Sequence, residues 1–261
     1  MTALLELDDI TIHFGGLTAV KQVSMSVEEG SISALIGPNG AGKSTIFNLV
    51  TGIYPPAEGR VRFKGRDITG QKPYQITDLG IARTFQNIRL FSNLSVLDNA
   101  KIGCHTQGQA GLLGALVPLP RVRSEERRIT ERAMEALAIV NLEDKREETA
   151  KNLAYGEQRR LEIARALAAK PQLLLLDEPV AGMNAQEKQG LMQMVQRIRE
   201  MGITIMLVEH DMNFVINLSD HVDVLDYGER IASGPPEQIK NDPQVIEAYL
   251  GKDLEIIHLE F

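Results

Sequence analysis

Gly37-Pro-Asn-Gly-Ala-Gly-Lys-Ser-Thr45 has the spacing G-x-x-x-x-G-K-S/T, and its reading decides the fold. Glycines without Cβ atoms let successive backbone N–H groups turn inward on a polyphosphate. Lys43 is placed to reach the outer phosphates, and Ser44 to offer a hydroxyl to Mg²⁺. The flanks agree. Ser31-Ile-Ser-Ala-Leu-Ile36 is a short apolar strand, and Lys43 to Thr51 reads as a helix whose positive end would face the phosphates. A mere flexible glycine turn needs neither flank. The loop alone names no reaction, because kinases, GTPases and transport ATPases share it.

Composition narrows the class. A chain of 261 residues with 43% hydrophobic and 24% charged residues can bury a full core. Apolar runs such as Leu173–Leu176 are too short to span a bilayer. Met1-Thr-Ala-Leu-Leu-Glu lacks the basic start of a signal peptide. Cys104 is the single cysteine, which offers no disulfide framework or metal cluster and suits a reducing cytosol. A net charge of −7 argues against a chain built to coat nucleic acid, so no nucleic-acid partner is expected.

Residues 4–35 alternate as strands, and Arg60-Val-Arg-Phe-Lys alternates as an edge strand leading to Gly65. From Asn87 to Asn152 the texture becomes helical. Ser95 is a plausible N-cap, and Gly108–Pro120 reads as a loop or broken helix. Ser124 opens a long amphipathic helix with Ile129, Met134, Leu137, Ala138 and Val140 near one face. Beyond Gly156, helices at 157–169, 185–201 and 212–218 alternate with strands at 172–176 and 203–208. Late strands follow at 222–225 and 229–232. This order implies right-handed crossovers and a parallel sheet.

Four further constellations bear on chemistry. Leu173-Leu-Leu-Leu-Asp177-Glu178 delivers two acids to a strand end, Asp177 for a metal ion and Glu178 as general base toward water. Gln86 follows another strand end, where a neutral amide can touch Mg²⁺ or orient water. His210 follows the strand ending at Val208 and could hydrogen-bond a terminal phosphate and hold Glu178. Asn152-Leu-Ala-Tyr-Gly-Glu-Gln158 opens a helix as an anion site, and its place suggests docking on a nucleotide held by another subunit.

Taken in order, Gly37–Thr45, Gln86, Leu153–Gln158, Asp177-Glu178 and His210 resemble the ATP-binding cassette family of transport ATPases across nearly the whole chain. The resemblance implies an α/β P-loop NTPase (RecA-like) core with a parallel sheet, an N-terminal antiparallel β layer and an inserted α-helical subdomain. It implies one nucleotide-binding domain over 1–261, with residues 1–86 and 170–261 as core and about 87–169 as the helical part. Phe14 would stack on adenine. Gly37, Asn39, Gly40, Gly42, Lys43, Ser44 and Thr45 would hold the phosphates, with Ser44, Gln86 and Asp177 toward Mg²⁺. Gln86, Glu178 and His210 would act in ATP hydrolysis, and Gln86 would link the nucleotide to a transmembrane partner. Ala154, Gly156 and Gln158 would close on the ATP of a second cassette, head to tail.

Departures narrow the group. The signature opens Leu153-Ala-Tyr-Gly156 rather than Leu-Ser-Gly-Gly, so Ala154 lacks a phosphate-binding hydroxyl. Ala181-Gly-Met-Asn184 replaces Ser-Ala-Leu-Asp. These segments, with 83–91, 153–165, 241–251 and the extra length at Gly103–Arg128, are similar to the larger ATP-binding subunit of bacterial branched-chain amino-acid importers. The tail Lys252–Phe261 matches no pattern of that group. The resemblance implies permease subunits, a second cassette (the same chain or a companion) and indirectly a periplasmic binding protein. It also implies a peripheral place on the cytoplasmic face of the inner membrane. Urea, amide or lipopolysaccharide transport, a low-turnover ATP-binding scaffold, and a soluble cassette acting on DNA or ribosomes stand as alternatives.

Overall fold

A computed structural model describes residues 3–104 and 120–249. Two sheets and a set of helices share the chain. β1 (Ala3–Phe14) and β2 (Leu17–Glu28) form a long antiparallel pair, and β4 (Glu58–Phe63) and β5 (Arg66–Asp67) extend it in the order β2-β1-β4-β5. β4 is therefore not the edge that its alternation suggests. The turn at Lys64-Gly65, both at positive φ, folds β5 back onto Arg62 and Phe63.

The second sheet has the order β10-β9-β3-β8-β7-β6. It contains β3 (Ile32–Ile36), β6 (Ile81–Arg83), β7 (Leu173–Asp177), β8 (Thr204–Val208), β9 (His221–Asp226) and β10 (Glu229–Gly234). The neighbours β6, β7, β8, β3 and β9 run parallel; β10 alone turns back antiparallel on β9. The four leucines of β7 show why a continuous apolar run suits this sheet. Leu173 and Leu175 enter the core shared with the antiparallel layer and α1 (Lys43–Val50), while Leu174 and Leu176 enter the core on the opposite face.

That second core continues into the helical segment without a break. α3 (Val96–Ile102), α4 (Pro120–Ile139) and α5 (Tyr155–Ala168) join α6 (Ala185–Glu200) and α7 (Met212–Leu218) around it. Ser95 caps α3, its hydroxyl accepting the Asp98 N–H at 3.0 Å. α4 begins at Pro120 rather than Ser124; proline's fixed φ favours the first helical position. Its buried stripe runs through Ala133, Ala136, Leu137 and on to Val140, and Ala138 faces out. The i, i+3, i+4, i+7 spacing excludes position 138. α5 starts two residues before the expected Glu157. The remaining elements are α2 (Pro73–Asp78), α8 (Pro236–Ile239) and a helical stretch at 243–249. Apart from Pro120, the expected loop at Gly108–Pro120 lies outside the described residues, as do residues 105–119 of the extra length at Gly103–Arg128 and the tail Lys252–Phe261. Among the described residues, no helix is long and apolar enough to cross a membrane.

Candidate functional site

The carboxyl ends of four parallel strands meet at one edge of the sheet. In register, Leu35 of β3 and Asp177 of β7 both pair with Val208 of β8, and Arg83 of β6 pairs with Leu175. The loops beyond these ends carry Gly37–Thr45, Gln86, Glu178 and His210. Parallel topology thus brings distant segments to a common crevice.

The phosphate-loop backbone needs its glycines at two places above all. Gly37 has φ +147°, and a Cβ there would lie 2.0 Å from the Leu225 carbonyl oxygen. Gly42 has φ +104°, and a Cβ would lie 2.8 Å from the Ala19 oxygen. Lys43 is buried, and its ammonium donates to the carbonyls of Gly37 at 2.6 Å and Pro38 at 2.9 Å. A cavity of about 440 Å³ elsewhere is larger, but the one at this loop, about 380 Å³, joins the right chemistry. Asn39 to Thr45, Gln86 and Glu178 line it, with Leu17, Thr18, Ala19 and Tyr227.

Within the crevice, the Gln86 amide donates to Glu178 Oε2 at 3.0 Å. His210 Nδ1 stands 4.0 Å from the same carboxylate oxygen, outside hydrogen-bond reach. Glu178 holds φ +47°, an uncommon conformation for a side-chain-bearing residue, and its N–H donates to Val208 O at 2.9 Å. Asp177 is buried, with Oδ2 accepting from Arg83 at 2.8 Å and Oδ1 buried without a hydrogen-bond partner. Ser44 and Gln86 line the crevice and Asp177, at the end of β7, does not; a serine hydroxyl, an amide oxygen and an orphaned carboxylate oxygen are nevertheless hard oxygens of the kind that Mg²⁺ takes.

Other expected residues lie apart. Phe14 is exposed and does not line the crevice; its ring meets Tyr54 edge-on at 5.2 Å. Ala154 and Gly156 line the 440 Å³ cavity between α5 and α6, and Gln158 donates to Leu153 O at 2.9 Å. The structure does not bring these three to this chain's own phosphate loop. Ala154 is the N-cap of α5, where Glu157 accepts its N–H at 3.2 Å.

Sequence reasoning missed several supporting side chains. Arg83, read only as a neighbour of Gln86, clasps Asn48, Thr51 and Asp177 and lies over the Phe47 and Phe85 rings. Arg159 donates to the carbonyls of Phe85 and Gln86, tying α5 to the loop that carries Gln86. Glu162 accepts the Arg89 N–H at 2.8 Å; burial pushes its carboxyl up and pushes the Arg165 guanidinium down. The i,i+3 spacing of Arg159, Glu162 and Arg165 shows their pairing along α5, but their bonds to the Phe85, Gln86 and Arg89 backbone lie far along the chain and no local spacing announces those.

The comparisons agree with this geometry. The ABC transporter family matches residues 20–181, and a branched-chain amino acid ATP-binding cassette transporter family matches residues 229–255, so the tail read as unmatched from Lys252 on is in fact matched as far as Glu255. The chain is similar to the high-affinity branched-chain amino acid transport ATP-binding protein BraF of Pseudomonas aeruginosa, 43% identical across 95% of this chain and 98% of that one. LivG of Escherichia coli K12, with the same description, is 41% identical over the same shares. Among solved structures, a nucleotide-free ATP-binding cassette from an ABC transporter superposes with TM-score 0.84 at 34% identity, covering 95% of this chain and 99% of that one. The ADP conformation of MJ1267, an ATP-binding cassette of an ABC transporter, gives TM-score 0.85 at 33% identity over 96% and 100%. A P-loop crevice assembled from four strand ends, and these matches across nearly the full length, lead to one conclusion: the chain belongs to the ABC transporter family, as its ATP-binding cassette.

Proposed function

We propose that this cassette powers uptake of branched-chain amino acids by hydrolysing ATP on the cytoplasmic face of the inner membrane. It acts there with permease subunits, a second cassette and, indirectly, a periplasmic binding protein. The observation that carries the hydrolytic reading is Gln86 bonded to Glu178 in the crevice that Lys43 and Ser44 line. The substrate class rests on the descriptions of the relatives and on the family matched by residues 229–255.

The roles follow from position. Lys43 exchanges its carbonyl partners for phosphate oxygens, and the loop's N–H groups turn to the same anion. Ser44, Gln86 and Asp177 hold Mg²⁺, which supplies charge neutralisation on the phosphate oxygens when bound. Glu178 orients water and takes its proton, and His210 contacts the terminal phosphate beside it. Phe14 packs on the adenine. Residues 87–169 present Ala154, Gly156 and Gln158 to the nucleotide of the second cassette, where backbone N–H groups replace the missing serine hydroxyl.

The test uses the chain assembled with its permeases and companion. Glu178→Gln should lower ATP turnover by about 100-fold or more while nucleotide binding persists. Retained turnover would refute the assignment of the base. Stimulation of the unsubstituted assembly by binding protein loaded with leucine, and not with urea, supports the substrate; the reverse pattern refutes it.

A further inference from the structure

Glu209 precedes His210 and has no part in the roles above. Its side chain is fully buried. Oε1 accepts the N–H of Val180 at 3.0 Å. Oε2 accepts the N–H groups of His210 at 3.1 Å and of Asp211 at 3.4 Å. Val180 lies two residues beyond Glu178, in the turn that runs on to Asn184. One carboxylate therefore bonds two separate active-site segments, one through each oxygen.

Such burial needs a reason. An ionised carboxylate inside a protein is tolerated when donors surround it, and backbone N–H groups supply them here. Burial nevertheless raises the carboxyl above its ordinary range, against the pull of its three N–H donors. A threonine or serine would fill less space and could not span both segments. The residue is costly to bury, and what it gains is a fixed distance between two loops.

A second bond reinforces the first. Lys188, one turn into α6, donates to Asp211 Oδ2 at 2.6 Å, and Asp211 Oδ1 caps α7 by accepting the Phe214 N–H at 3.0 Å. α6 itself is capped by Asn184, whose side chain accepts the Glu187 N–H at 3.0 Å. Residues 178–188 and 208–211 are thus joined by Glu209 at one end and by Lys188 at the other. The Glu178 N–H on Val208 O closes the third side. His210 Nδ1 stands 4.0 Å from both Glu178 Oε2 and Glu209 Oε2.

We propose that Glu209 is a positioning residue, whose buried carboxylate fixes His210 and the Glu178–Asn184 turn in one frame. Glu209, fully buried and bonded to backbone N–H groups, acts through His210 and Glu178. The inference rests on the hydrolytic reading for its consequence, and on geometry alone for its frame. Displacing a reacting group by about 1 Å costs up to about 100-fold in rate.

The test is Glu209→Gln in the full chain. The shape is kept, but one oxygen becomes an NH₂ that cannot accept, so one of the two loops loses its bond. Amide exchange followed by NMR on the nucleotide-free chain should show faster exchange at Val180, or at His210 and Asp211, with the β3 and β8 amides unchanged. In the permease assembly kcat should fall about 10- to 100-fold, with the KM for ATP within about threefold of its starting value. Unchanged exchange at all three amides overturns the frame. Unchanged kcat, or a loss carried by KM, overturns the positioning role. An unsubstituted assembly without turnover would strike the hydrolytic reading instead; exchange, which needs no nucleotide, then decides the frame alone.

Discussion

Replacing Arg83 by methionine isolates the electrostatics beneath the site. The guanidinium and Asp177 lie 2.8 Å apart, with side chains 8% and 4% exposed. Asp177 Oδ1 has no other hydrogen-bond partner, and Oδ2 is bonded to Arg83 alone. Removing the cation therefore leaves a buried carboxylate with no donor. It also strands Asn48 Oδ1, which accepts from Arg83 at 2.7 Å. Breaking one side of a buried pair costs about 3–5 kcal/mol. Methionine keeps much of the contact with Phe47 and Phe85, so little of that loss is packing. For a chain of this size each kcal/mol lowers Tm by about 2–4 °C, which places the expected drop at about 6–20 °C. Circular dichroism melts of the nucleotide-free chain measure it. Adding Asp177→Asn to the same chain removes the stranded charge and should recover at least half of the loss. A single-variant drop below about 1 kcal/mol, or no recovery in the double variant, would refute the claim that these charges depend on each other.

Three further outcomes are expected. Gly37→Ala, whose Cβ would lie 2.0 Å from Leu225 O, should abolish ADP retention in equilibrium dialysis; Gly16→Ala, with open space around it, should stay within about 0.5 kcal/mol in stability. Ala154→Ser supplies the absent cap hydroxyl at the α5 N-cap and should stabilise the chain by about 0.5–1 kcal/mol in urea titrations. Lys188→Met should cost about 0.5 kcal/mol at pH 7. The Lys188 hydrogen bond holds Asp211 below its usual range, so the pair's contribution exists above the unfolded carboxyl value and is lost as pH falls through the lower folded one. Asp211 in turn raises Lys188, so the contribution is also lost as pH rises through the lysine's folded value. Urea midpoints of the two chains should converge at both extremes and differ between them.

How much was legible depends on the range of each signal. The phosphate loop, the leucine strand and the Ser95 cap are local patterns, each enforced by its own few residues, and the structure places them where the spacing does. The two-residue β5 was invisible because Arg66-Asp67 gains its strand character from pairing with Arg62 and Phe63, not from its own composition. Ala138 was misplaced because alanine carries too weak a pattern to tell one helix face from the next. Glu178, Gln86 and Lys43 could be located in the crevice region from motif and strand ends. Arg83, Arg159 and Glu209 could not, since what gives them meaning is groups met across the fold: the Asn48 and Asp177 side chains, the Phe85 and Gln86 carbonyls, and the Val180 N–H.

Lys43 adds a consequence of its own. Its ammonium already gives two of its three N–H donors to the Gly37 and Pro38 carbonyls. Entry is then a swap of acceptors, and a guest prevails only if its oxygens outcompete two amide carbonyls for the same cation. Polyanions meet that demand and neutral metabolites do not. Discrimination against sugars and free amino acids is thereby written into the loop, at the expense of some tightness toward the nucleotide itself.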